Sequence, residues 1–170
     1  MAETEPRVEL RERRTSDLEH CVSALRRVHD ADGYPMAWPR DPVRWLSPAR
    51  MLRGWVALAR RGAGGGADLG AERVVGHVLL LETGTPGTVE IARLFVSPEG
   101  RGHGLGAALL DMACGWAGGQ GQSVVLEVVA AEGSPAIALY ERTGWRRTGT
   151  VTAEWTAPDG SCVELHRYIR

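Results

Sequence analysis

No lysine and no asparagine occur in the 170 residues, so all fixed positive charge is arginine, beside five histidines. A Walker-type phosphate loop, G-x-x-x-x-G-K-[ST], is thereby excluded, as is any lysine nucleophile or Schiff base. Cysteine is scarce: Cys21, Cys114 and Cys162 are odd in number and widely spaced. That argues against a disulfide framework or a zinc site, and for free thiols that serve in packing. No apolar run approaches the roughly 20 residues of a membrane-spanning helix. The acidic start MAETEPRVEL lacks the basic and apolar regions of a secretory signal. The expectation is a cytoplasmic protein with no membrane partner and no metal. Twenty basic side chains against 21 acidic ones leave a formal charge of −1, and no basic run interleaves with aromatics, so nucleic acid is not an expected partner either. The length suits one domain, taken as residues 1–170.

What is present reads as a mixed α/β chain. RVELRER (Arg7 to Arg13) alternates like a half-exposed strand, and the next segment offers Thr15 or Ser16 as the cap of an amphipathic helix. Asp30 to Pro48 carries four prolines and the aromatics Tyr34, Trp38 and Trp45, the composition of an irregular loop with apolar side chains to hide. GWVALAR (Gly54 to Arg60), the glycine-rich tip RGAGGGADLG, RVVGHVLLLETG (Arg73 to Gly84) and GTVEIARLFVSP (Gly87 to Pro98) read as three strands of an antiparallel meander. After Pro98 the order becomes helix (about Gly104 to Trp116), strand (Ser123 to Ala130) and helix (Ser134 to Gly144), which demands a parallel crossover. In the first of these helices Leu105, Leu109, Met112, Ala113 and Trp116 share one face. GTVTAEWTA and SCVELHRYIR close the chain as a hairpin around PDG.

The stretch LFVSPEGRGHGLGAALL, Leu94 to Leu110, places Gly100, Gly102, Gly104 and Gly106 between the end of a strand and the start of a helix. Each glycine costs stability relative to alanine. They serve either a tight turn and close helix packing, or an anion: unpaired N–H groups and the positive end of the helix dipole converge there, and side chains would block a phosphate. Gly102, Gly104 and Ala107 formally fit the dinucleotide pattern G-x-G-x-x-[GA], with Glu127 about 20 residues on. Three antiparallel strands before the motif and one hairpin after it argue against that doubly wound fold. Glu90 and Glu127 lie in apolar central strands, so burial should raise their pKa values and suit them to base chemistry. Glu90 shares a face with Ala92 and Leu94 if alternation is unbroken. His77, alone in an apolar strand, reads as a satisfied core histidine. The aromatics Tyr34, Trp38 and Trp45 read either as simple packing, the favoured reading for the tryptophans, or as the wall of an acceptor pocket to which Asp30, Asp32 or Asp41 would attract a cationic amine.

Taken in order, VEIARLFVSP, the R-x-x-G-x-G of RGHGLG, LEVV and PAIALYERTGW resemble the GNAT superfamily of acyl-CoA-dependent N-acetyltransferases. The resemblance is strongest from about Val89 to Arg146 and by element order covers nearly the whole chain. It implies a mixed, mostly antiparallel seven-stranded sheet with about four flanking helices, and acetyl-CoA as co-substrate without a metal. Arg101, Gly102, His103, Gly104, Leu105, Gly106 and Ala107 would wrap the pyrophosphate. A strand bulge would turn a backbone amide near Leu94, Phe95 and Val96 to the thioester carbonyl. Tyr140 would be the general acid at the sulfur, and Glu90 or Glu127 a water-mediated base. Tyr34 and Trp38 are the candidate acceptor contacts. The implied reaction is acetyl transfer to a primary amine of a small molecule, by direct attack in a ternary complex. A protein N-terminal amine is the rival acceptor, because LEVV…AIALYERTGW resembles the ribosomal-protein alanine acetyltransferases. A non-catalytic CoA-binding module is a third reading, and a homodimer is compatible with the resemblance. The chain departs from the pattern where many members carry an asparagine and it has Gly133, and in an interval from Glu127 to Tyr140 about one residue longer than the commonest.

Overall fold

The computed structural model describes residues 7–60 and 72–170. The glycine-rich tip read over Arg61 to Gly70 therefore lies outside the described residues. The elements are β1 (Arg7–Glu12), α1 (Leu18–Asp32), α2 (Pro42–Leu46), β2 (Met51–Arg60), β3 (Glu72–Glu82), β4 (Thr88–Val96), α3 (Leu105–Gly119), β5 (Ser123–Val129), α4 (Pro135–Arg142), β6 (Arg146–Thr156) and β7 (Cys162–Ile169). The strands form one seven-stranded sheet in the order β1-β2-β3-β4-β5-β7-β6. Only β4 and β5 run parallel; every other neighbouring pair is antiparallel. The expected mixed, mostly antiparallel sheet with four helices is what the chain forms.

Two hydrophobic layers enclose the sheet. On one face Cys21, Ala24, Leu25 and Val28 of α1 and Leu46 of α2 pack on Val56, Leu58, Val74 and Phe95. On the other, Leu105, Leu109, Leu110, Ala113 and Ala117 of α3, together with Tyr140 of α4, pack on Trp55, Ala57, Val78, Val89, Ile91 and Leu126. The buried stripe of α3 is thus turned slightly from the expected one: Met112 and Trp116 are only partly covered, and Leu110 and Ala117 replace them in the core. Cys21, Cys114 and Cys162 are free thiols. Among the described residues no helix is long and apolar enough to cross a membrane.

The start of α1 differs from the expected cap. Thr15–Asp17 forms a single 3₁₀ turn, and neither Thr15 nor Ser16 caps the helix. Asp17 stands at the N-cap position without a side-chain cap bond to the helix, because its carboxylate is taken up by Arg14 N at 2.6 Å and by both terminal nitrogens of Arg11 at 2.8 Å. Such bidentate, charge-assisted bonds outweigh a hydroxyl cap.

β4 carries the feature that positions the site. His77 of β3 faces Phe95 and Leu79 faces Ala92, so Arg93 and Leu94 together oppose Val78. Arg93 is the one non-glycine residue with positive φ, at 53°, among those described. The extra residue forms a bulge and resets the alternation. Val89, Ile91, Leu94 and Val96 therefore turn toward α3, whereas Phe95 joins the α1 face. The expectation that Glu90 and Leu94 share a face is corrected by this bulge, which separates them.

The Arg11 hydrogen bond holds the Asp17 carboxyl below its ordinary value of 3.8. Its stabilising contribution is present above that pH and lost as pH falls through the lowered value. Asp17→Asn should cost about 2 kcal/mol of unfolding free energy at pH 7. The gap from the parent protein should narrow below pH 4 in denaturant titrations.

Candidate active site

β4 and β5 are paired only from Thr88 to Ile91 and from Ser123 to Leu126. Beyond that point β4 stays with β3 as far as Val96, and β5 stays with β7 as far as Val129. A wedge-shaped gap opens between them, bounded on one side by Ala92 to Val96 and on the other by Glu127 to Val129. N–H groups of β4 that point toward this gap meet no strand.

The chain from Ser97 to Ala107 forms the mouth of the gap. A short 3₁₀ turn (Pro98–Gly100) leads into α3, whose cap is Gly104. No backbone acceptor among the described residues is bonded to the N–H groups from Gly102 to Ala107; the first helical bond runs from Ala108 N to Gly104 O at 3.0 Å. A row of free donors at the positive end of a 15-residue helix is a ready anion site. Gly102 and Gly104 have φ of 79° and 68°, and a Cβ on either would meet nothing within 4 Å. They serve the left-handed backbone and leave the space in front of the amides open.

Gly100 and Gly106 have a different reason to be glycine. A Cβ on Gly100 would sit 2.9 Å from Val75 O, and one on Gly106 would sit 3.0 Å from the Leu139 side chain. The first lets the loop lie on β3 and the second lets α3 approach α4. The turn-and-packing reading thus accounts for Gly100 and Gly106 by close contact, and Gly102 and Gly104 serve a left-handed turn that leaves the amides uncovered. Arg101 is not free at this mouth: both terminal nitrogens of its guanidinium bond the Asp32 carboxylate, fastening the loop to the end of α1. His103 is exposed.

Glu90 and Glu127 come together on one face. Glu90 pairs in register with Val125, and Glu127 is two residues further along the same side of β5. Glu90 lies 3.3 Å from Arg50 and Glu127 lies 2.7 Å from Arg167. Burial raises the Glu90 pKa above 4.5; the Arg50 charge opposes that rise and the Glu127 carboxylate adds to it.

Tyr140 lies in the layer on the opposite face. Its ring is buried against Trp145 and Tyr168, at centroid distances of 6.0 and 6.1 Å. Its hydroxyl has no hydrogen-bond partner among the described residues, yet it is not one of the sealed, unpaired polar atoms. Burial pushes its pKa well above 10, and proximity to Tyr34 adds to the rise. The phenol therefore stays protonated throughout the physiological range.

Of the aromatic loop, only part joins the site. Tyr34 contacts Trp45 edge-on at 6.1 Å, and Arg93 lies over the Trp45 ring at 4.0 Å. Trp38 packs on α1, between Arg26 at 3.5 Å and His29 at 5.4 Å, as the packing reading of the tryptophans has it. Two of the three aspartates are not free for an amine, because Asp32 holds Arg101 and Asp41 caps α2 through Arg44 N at 3.0 Å. His77 is fully buried and satisfied on both ring nitrogens, by Arg93 O at 2.9 Å and Arg13 Nη1 at 3.0 Å. Arg13, Arg50 and Arg93 escaped sequence reasoning, since nothing in an arginine's neighbours along the chain tells which sheet face it meets. Gly133 has φ of 67°, a conformation that asparagine also tolerates; what the chain lacks there is the side-chain amide. A separate concavity of about 600 Å³ lies between the β5–α4 turn and β7, and Tyr140, Glu90 and Glu127 do not line it.

A parallel strand pair parted in this way, with the unpaired amides of a helix start at its mouth, defines the acyl-CoA N-acyltransferase fold. The Acetyltransferase (GNAT) family model matches residues 25–145, and the chain belongs to that family. An uncharacterised N-acetyltransferase of Methanocaldococcus jannaschii is 37% identical over 62 residues. That match covers 36% of this chain and 27% of the relative's length. The ribosomal-protein-S18-alanine N-acetyltransferase of Escherichia coli superposes with a TM-score of 0.68 at 19% identity, covering 96% of this chain and 92% of its own. Arabidopsis thaliana NAA60 in complex with acetyl-CoA superposes with a TM-score of 0.73 at 20% identity, covering 96% and 98%.

Carbonyl NMR of labelled glutamate should show Glu90 titrating above 4.5. Arg50→Ala should move it further up by removing a stabilising cation, and Glu127→Gln should move it down by removing a like charge.

Proposed function

We propose that the chain transfers acetyl from acetyl-CoA to the primary amine of a small molecule, by direct attack within a ternary complex. The observation that carries this reading is the row of unpaired amides from Gly102 to Ala107 at the mouth of the β4–β5 gap. Those amides suit a pyrophosphate, and the gap behind them is a slot for an extended thioester arm. NAD is a poorer fit, because Glu127, the residue that would hold its ribose, is paired with Arg167 in mid-strand.

The residues support each need of the transfer. An N–H donor near Leu94 to Val96 would hold the thioester oxygen as charge develops there, a contact whose loss elsewhere costs about 3 to 4 kcal/mol. Glu90 or Glu127, across water, would take the proton that the attacking nitrogen gives up as the C–N bond forms and the C–S bond breaks. Tyr140 would deliver its proton to the departing sulfur. With its pKa raised above 10, Tyr140 is a weaker acid than a free phenol, so this step depends on its position in the gap.

The second reading, a protein N-terminal amine, is favoured by the LEVV…AIALYERTGW segment and stays within the same chemistry. An amine screen that includes peptides beginning with alanine separates the two.

Parallel calorimetric titration with acetyl-CoA, CoA and NAD should show binding of the CoA species alone. Binding without turnover against any amine would leave a CoA-binding module, and no binding of either CoA species would overturn the reading. Tyr140→Phe should lower kcat at least tenfold with CoA affinity within about twofold of the parent; an unchanged kcat would remove Tyr140 from the mechanism.

A further inference from the structure

The bulge residue Arg93 is held at both ends. Its side chain lies over the Trp45 ring and its Nε is 3.5 Å from Trp45 O. Its carbonyl accepts from His77 Nδ1 at 2.9 Å. The partners of His77 fix its tautomer without reference to pH. Arg13 offers only donors, so Nε2 must accept; the Arg93 carbonyl only accepts, so Nδ1 must carry the proton. Burial agrees, lowering the His77 pKa to about 3 and keeping the ring neutral. Arg13 is itself fixed by Leu46 O at 2.6 Å, Ser47 Oγ at 2.9 Å and Met51 Sδ at 3.0 Å, and the imidazole stacks on Phe95 at 5.0 Å.

The peptide between Arg93 and Leu94 is trans, so its C=O and N–H point in opposite directions. A carbonyl drawn toward His77 on β3 sends the Leu94 N–H the other way, into the gap where β5 has parted from β4. We propose that His77, locked as the Nδ1–H tautomer by Arg13, is a positioning residue that aims the Leu94 amide at the acyl carbonyl. This rests on the transferase reading above. It adds the residue that sets the direction of the donor, and it makes the end of α2, through Leu46 O and Arg13, a support of the same donor.

Two isosteric replacements separate the two ring nitrogens. The amide nitrogen of His77→Asn takes the place of Nδ1 and keeps a donor for Arg93 O. The amide oxygen of His77→Gln takes the place of Nε2, accepting from Arg13, and leaves Arg93 O without a donor. The readout is the infrared carbonyl band of acetyl-CoA labelled with ¹³C at the thioester carbon, which needs no acceptor. Binding to the parent protein should shift the band to lower frequency. His77→Gln should abolish most of the shift while calorimetric affinity stays within about twofold, and kcat should fall at least tenfold at unchanged KM for acetyl-CoA. His77→Asn should restore most of the shift. An unaltered shift in the Gln variant, or equal losses in both folded variants, would overturn the proposal. In histidine-labelled parent protein, ¹⁵N NMR should find His77 protonated at Nδ1 only; the Nε2–H tautomer would overturn the proposal even if neither variant folds. Failure of the parent protein to bind acetyl-CoA would bring down the transferase reading together with this one, whereas binding with an unshifted band would defeat this inference alone.

Discussion

The parting of β4 from β5 is the constraint on which the site depends, and it begins at one backbone turn. Arg93 at positive φ inserts an extra residue opposite β3. A left-handed arginine is unfavourable by itself, and it persists because His77 holds its carbonyl and Trp45 its side chain. β4 keeps to β3 as far as Val96, while β5 keeps to β7 as far as Val129.

The same bulge distributes the chemistry. Because it resets the alternation, β4 shows Glu90 to the α1 face before the kink and Leu94 to the α3 face after it. The carboxylates therefore lie on one face of the sheet and Tyr140 on the other. The charges that face the carboxylates are all arginine, as the composition dictates. Arg50 and Arg167 hold Glu90 and Glu127 as separate pairs, which keeps two like charges on one face from having to share a single partner.

Much of this was legible along the chain. Strand and helix order followed from periodicity and from the change of pattern after Pro98. The uncovered amides between β4 and α3 followed from glycines at a strand-to-helix junction. Hidden, however, was the division of labour among those glycines: that Gly100 lies against Val75 and Gly106 against Leu139 is a fact about other elements. The face of Leu94 was hidden for a related reason, since alternation predicts it only for an unbroken ladder. Composition left Trp38 open to packing or to an acceptor contact and could not show that it lies on α1 or that Asp32 holds Arg101.

By itself the sequence determined which elements form, in what order, and which segment could meet a phosphate, because backbone periodicity, capping and glycine tolerance act over a few neighbouring residues. Only the tertiary structure decided which donor points into the gap, which carboxylates share a face, and that His77, buried 16 residues before the carbonyl it holds, stands behind the bulge. Those outcomes rest on strand register and on hydrogen bonds between distant segments, whose geometry exists only once the sheet is assembled.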